Sequence, residues 1–130
     1  MNILLVENQP YASQITSKRN DITVYDGSLS QSVEVVAEDI KTRYGKLAEV
    51  FIIDIHLQIG NAQLSENAGI KLLKLLRLHY IDTHVVLYSW MSREMLMSNL
   101  RNAIIFSKGV SFCRLPDFLN AIQGIDFSEL

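Results

Sequence analysis

Two carboxylates stand where short apolar runs end: Glu7 after Ile3-Leu4-Leu5-Val6, and Asp54 within Val50-Phe51-Ile52-Ile53-Asp54-Ile55. A carboxylate in such a run is costly unless its charge is matched or reaches solvent at the end of the element. Two of them at neighbouring positions can work as an acid/base pair or hold a metal ion. The sequence offers further polar groups at comparable places: the amide of Asn8, the hydroxyl of Ser89 and the guanidinium of Arg114. The plain alternative for Asp54 is a turn or capping aspartate at a strand end, which needs none of these neighbours. His56, His79 and His84 lack the paired spacing of a transition-metal site, and His56 is the one near the carboxylates. Cys113 reads as a small buried strand residue. A lone cysteine forms no internal disulfide, which suits a reducing compartment and a cytoplasmic location.

These residues need elements to position them, and the chain supplies an alternation of short and long patterns. Ile3 to Val6, Ile22 to Tyr25, Val50 to Ile55, His84 to Tyr88 and Ser111 to Arg114 have strand length and polar boundaries. The first, third and fourth are continuously apolar, as in central parallel strands covered on both faces. Between them the spacing predicts helices over Pro10 to Lys18, Gln31 to Tyr44, Gly69 to His79, Ser92 to about Phe106 and Pro116 to Ile122. Pro10 and Pro116 suit first-turn positions, Ser92 an N-cap, and Gly45 and Gly109 C-terminal stops. Strand and helix in strict alternation imply right-handed crossovers. The expected fold is therefore α/β: a flavodoxin-like, doubly wound, five-stranded parallel sheet in the order 2-1-3-4-5, with five helices. Residues 1–124 form one domain, and 125–130 read as a C-terminal tail or linker stub. In such a sheet ligands bind beyond the carboxyl ends of the strands at the switch in strand order. Glu7, Asn8, Asp54, Ser89 and Arg114 all fall there.

Several functions are disfavoured. A net charge of −2 gives no basic face for nucleic acid, and Lys18-Arg19 is the one adjacent basic pair. No apolar run approaches the roughly 18 residues of a membrane span. The opening residues lack the basic start and small-residue cleavage site of a signal peptide. The first strand–helix junction is Glu7-Asn8-Gln9-Pro10, acidic and free of glycine. Backbone amides approach a pyrophosphate through glycine-rich turns, so nucleotide binding is not expected there.

Five segments resemble response-regulator receiver domains of two-component signalling. Ile3-Leu4-Leu5-Val6-Glu7-Asn8 resembles their opening strand and acidic pair, and Phe51-Ile52-Ile53-Asp54 their phosphoacceptor strand. Gly69-Ile70-Lys71-Leu72-Leu73 is similar to the start of their third helix. Val85-Val86-Leu87-Tyr88-Ser89 resembles the strand that ends in a phosphoryl-contacting Ser or Thr, and Gly109-Val110-Ser111-Phe112 with Pro116 the last strand and its sequel. The resemblance implies that Asp54 accepts a phosphoryl group from a histidine kinase or phosphotransfer protein and forms an acyl phosphate. It implies Mg²⁺ held by Glu7, Asn8, Asp54 and the backbone carbonyl of His56, because that ion prefers oxygen ligands. Ser89 would hydrogen-bond the bound phosphoryl group. Effectors or a dimer partner would dock on the face of the helix from Ser92 and the fifth strand, which carries Met91, Met95 and Met97. Packing of those methionines into the core is the plainer reading.

Four departures from the family pattern shape the functional expectation. Asn8 stands where a second acid is usual, which weakens Mg²⁺ binding. Leu115 stands where the family has a lysine. Arg114 is one residue earlier and substitutes for it only if the strand end twists or slips, since neighbouring strand residues face opposite ways. Trp90 follows Ser89 in place of a small residue and either gates the pocket or packs under the next helix. Gly69 lies 15 positions after Asp54, so the loop 56–67 is long; it either folds over the site or is an ordinary insertion. The expectation is a receiver-type signalling module, not an enzyme, with an incomplete site at Asp54. It would be weakly phosphorylated or would signal through protein contacts alone. The alternative is a small metal-dependent hydrolase that uses Glu7 and Asp54.

Overall fold

Every second residue of a strand points to the same face, and here both faces are apolar. In a computed structural model, which describes residues 2–7, 11–45, 48–57, 68–89, 94 and 109–127, β1 (Ile3–Val6), β3 (Val50–Asp54) and β4 (His84–Ser89) form the middle of one sheet. β2 (Ile22–Val24) and β5 (Val110–Arg114) are its edges, and the order is β2-β1-β3-β4-β5 with all pairs parallel. This is the expected order. Strand ends agree with the sequence reading to within a residue or so, because polar residues close each run.

Alternation sorts the side chains into two cores. Leu4, Val6, Phe51, Ile53, Val85 and Leu87 pack under α2 (Val33–Tyr44) and α3 (Ala68–Arg77), against Val36, Ile40, Leu72 and Leu76 among others. Ile3, Leu5, Val50, Ile52, Val86 and Tyr88 pack on the opposite face under α1 (Tyr11–Lys18) and α4 (Leu115–Ala121), meeting Ile15, Leu115 and Phe118. A short 3-10 turn, Ile122–Gly124, continues α4. Beyond it Phe127 is buried in the second core, beneath the Arg19 guanidinium, which also donates to the carbonyls of Ile122 and Ile125. Four helices are thus among the described residues. The helix expected from Ser92 to about Phe106 lies outside them save for Glu94, which is helical, and so do Asn8, Trp90, the methionines at 91, 95 and 97, and loop residues 58–67.

Local chemistry explains the helix ends. Ser32 caps α2, its Oγ accepting from the Val35 amide at 3.3 Å. Gly45 stops it at φ 52°, and its own amide returns to the Lys41 carbonyl. No helix among the described residues is long and apolar enough to cross a membrane.

Candidate functional site

The alternation that builds the second core does not stop at its apolar residues. Glu7 follows Ile3 and Leu5, Asp54 follows Val50 and Ile52, and Tyr88 follows Val86, all on one face. β1 and β3 are hydrogen-bonded neighbours, so their ends bring the two carboxylates together at the switch in strand order. Glu7 is 2% exposed and Asp54 8%. Asp54 Oδ1 accepts the His56 amide at 2.9 Å, within the turn that leaves β3. The Tyr88 hydroxyl donates to Glu7 Oε2 at 2.5 Å.

Burial is the main cause that pushes the Asp54 carboxyl up, to about 8. The hydrogen bond and the charge of Glu7 raise it further, while the His56 amide acts the other way. Two carboxylates in this position cannot both ionise cheaply, so the pair holds a proton between them near neutral pH. The structure thus joins Glu7 and Asp54 in one acidic site, with the His56 main chain beside it.

Ser89 is buried, one position beyond the Asp54–Tyr88 register pair, and is itself opposite Arg114. The β4–β5 register runs unbroken from Val85–Val110 to Ser89–Arg114. Arg114 ends the edge strand exposed, and Leu115 turns into the second core. The place where the resemblance expects a lysine is filled by leucine, buried in the second core.

Two contributors escaped the sequence reading. Tyr88 counts as one more apolar strand residue there, yet a buried phenol wants a partner for its hydroxyl, and that is the signal that would have found it. In the sequence Gly69 marks only the end of the long loop and the start of a helix. An added Cβ would lie 1.9 Å from the Asp54 carbonyl oxygen, and the Gly69 amide donates to the Ile55 carbonyl at 3.1 Å. The first turn of α3 therefore seats directly on the backbone that carries Asp54, and only glycine fits.

Two carboxylates and adjacent main-chain carbonyls are hard oxygen donors, the set a partly hydrated Mg²⁺ takes. Among the described residues no group of three or more His, Cys, Asp or Glu side chains gathers, at this site or elsewhere. The pressed-together pair fits a divalent cation, which would take the place of the shared proton.

The comparisons with known proteins point to the same architecture. A receiver protein from Sinorhizobium medicae superposes with a TM-score of 0.57, at 15% identity over 94% of this chain and 96% of that one. The chain has the receiver fold. The Mn²⁺-bound form of the response regulator Rcp1 gives 0.55, at 12% identity over 95% of this chain and 89% of that one. The receiver domain of the histidine kinase CKI1 from Arabidopsis thaliana, complexed with Mg²⁺ and BeF3⁻, gives 0.50 at 15% identity, over 94% of this chain and 87% of that one. No protein-family model matches the chain, and no curated protein does either. The receiver fold is thus shared at a sequence distance where residues at the site have had room to change.

Proposed function

We propose that this protein is a receiver-type signalling module with a weak phosphoacceptor at Asp54, one that passes signals mainly through protein contacts. The observation that carries the reading is the buried Asp54–Glu7 pair at the end of β3 and β1, with an uncharged Leu115 in the core where the family has a lysine. Asp54 is in the position of a carboxylate nucleophile, and Glu7 stands beside it as a cation ligand. Phosphoryl transfer relies on positioning and on cations around a charge-rich group. Glu7, Asp54 and the His56 carbonyl would hold Mg²⁺, with Asn8 completing the set, and the ion would neutralise charge on the incoming phosphoryl. Ser89 serves as its hydrogen-bond donor. Arg114 serves from the rim, since it is exposed at the end of the edge strand. The donor would be a histidine kinase or phosphotransfer protein. An effector or dimer partner would dock on β5 and the segment that precedes it.

Incubation with Mg²⁺ and acetyl phosphate, followed by intact mass measurement, tests this. The expected result is slow, substoichiometric phosphorylation that disappears in Asp54→Asn. Fast, complete phosphorylation would make this an ordinary receiver and overturn the weak-site reading. The same carboxylate pair also suits a metal-dependent hydrolase. Turnover of phosphomonoesters above background, lost in Glu7→Gln, would favour that reading instead.

A further inference from the structure

We propose that Tyr88 is a positioning residue of the carboxylate site: its hydroxyl holds Glu7 in place to bind a hard divalent cation. The inference rests on the receiver reading above and deepens it. Tyr88 is fully buried, and β4 sets it opposite Asp54 in register. Its ring is stacked on Phe118 of α4, with centroids 5.5 Å apart and planes 8° from parallel. A ring clamped in this way leaves its hydroxyl at one point, and that point is Glu7 Oε2.

Each group needs the other. A buried carboxylate and a buried phenol both lose free energy when a polar atom is left without a partner. Glu7 and Tyr88 are 81 positions apart in the chain and come together through the strand order. Carboxylates that bind metal ions are oriented by such outer hydrogen bonds, whose loss typically weakens metal binding by about 10- to 100-fold. The character of the donor matters too. Leu115 belongs to the same cluster as Tyr88 and Phe118, so apolar side chains fill the region below the site. What reaches Glu7 from there is a neutral phenol, which directs the carboxylate without neutralising it. The pair keeps its negative charge for a cation. Because Phe118 belongs to α4, the same stack also ties that helix to the site.

Mg²⁺ binding measured by calorimetry on the intact chain, alongside melting curves without Mg²⁺, tests the assignment. Tyr88→Phe keeps the ring and removes the hydroxyl; its Mg²⁺ affinity should fall about tenfold. Phe118→Leu keeps the hydroxyl and loosens the ring, and should weaken binding by a smaller factor. A purely structural Tyr88 would lower the melting temperature and leave the affinity of the folded protein unchanged. Unchanged affinity in a folded Tyr88→Phe overturns the assignment while the wild-type cation site, and the receiver reading, stand. Should Tyr88→Phe not fold, unchanged affinity in Phe118→Leu overturns it in the same way. Wild-type protein that binds no Mg²⁺ even at tens of millimolar would remove both the assignment and the cation part of the receiver reading.

Discussion

Charge is withdrawn from water at both ends of the sheet, in part at Arg77 and almost fully at Glu7 and Asp54, and the two ends treat it differently. At the amino end of β4 and β5, the Arg77 guanidinium donates to the carbonyls of Tyr80 and Ile81 at 3.1 Å each and to that of Thr83, and its other nitrogen donates to Gly109 at 3.1 Å. The fork of one arginine thereby closes the loop after α3 and fastens it to the start of β5. At the carboxyl end, Glu7 and Asp54 share a hydrogen bond, the Tyr88 hydroxyl donates to Glu7 and the His56 amide donates to Asp54. Arg77 is matched by four dipoles oriented toward it. The two acids are mismatched: Glu7 raises the cost of ionising Asp54. A matched charge is what a scaffold needs, and a mismatched buried one is what a binding site keeps in reserve for its ligand. Within one small sheet, charge is matched by carbonyls at one end, and on the reading proposed above it is kept for a ligand at the other.

The sharpest way to break this contrast is to disturb the backbone under Asp54. Gly69→Ala would drive a methyl into the Asp54 carbonyl at 1.9 Å, and neither backbone segment can yield without moving its strand or helix. The expected loss is about 3 kcal/mol or more of folding free energy, the upper end of overpacking costs, read from urea unfolding. A loss under about 1 kcal/mol would show that α3 is not seated as tightly as the contact implies. The matched end comes next. Arg77→Leu leaves carbonyls of the loop without their donor and should cost about 2 to 3 kcal/mol. Arg77→Lys should recover only part of this, because one ammonium cannot reproduce a planar fork to four carbonyls. Full recovery by lysine would mean that charge alone, and not the fork, holds the loop.

Much of this architecture was legible in the residues, and the reason is physical. β1, β3 and β4 are buried on both faces, so they read as unbroken apolar runs with polar residues closing them, and the strand order follows from the alternation with helices. The two acids were legible for the same reason: a carboxylate in Ile52-Ile53-Asp54-Ile55 has no place in a core. Contacts made across the sheet were not. Nothing near Tyr88 in sequence announces Glu7, and nothing near Arg77 announces Gly109, 32 positions on. The close approach at Gly69 is likewise a packing fact between two elements. Leu115 was seen as a substitution, but its turn into the second core depends on how β5 passes into α4, which side-chain types do not encode locally.

The smallest predicted effect tests the mismatched end through its pH dependence. Asp54 has a pKa raised from 3.8 to about 8 in the folded protein, by burial first and by Glu7 second. The folded state therefore holds this proton more tightly than the unfolded chain does. Its contribution to stability is complete below about pH 4 and fades as the pH rises through about 8, because stability falls wherever the folded state binds more protons. Asp54→Asn keeps the shape of the neutral acid. Its carbonyl can still accept from the His56 amide, and its NH₂ can donate to Glu7 as the carboxylic OH does. The variant should match wild type near pH 4 and be the more stable near pH 8, with the gap opening as the pH rises between them, measured by urea unfolding at both values. Glu7→Gln should lower the Asp54 titration midpoint by removing the second cause, which carbon NMR of the carboxyl group can follow. Mg²⁺ should narrow the gap near pH 8, since a cation bound by the wild-type pair stabilises the ionised form that the amide lacks. An Asp54→Asn variant no more stable than wild type at pH 8 would mean that Asp54 is already matched there, and the contrast between the two ends of the sheet would lose its basis.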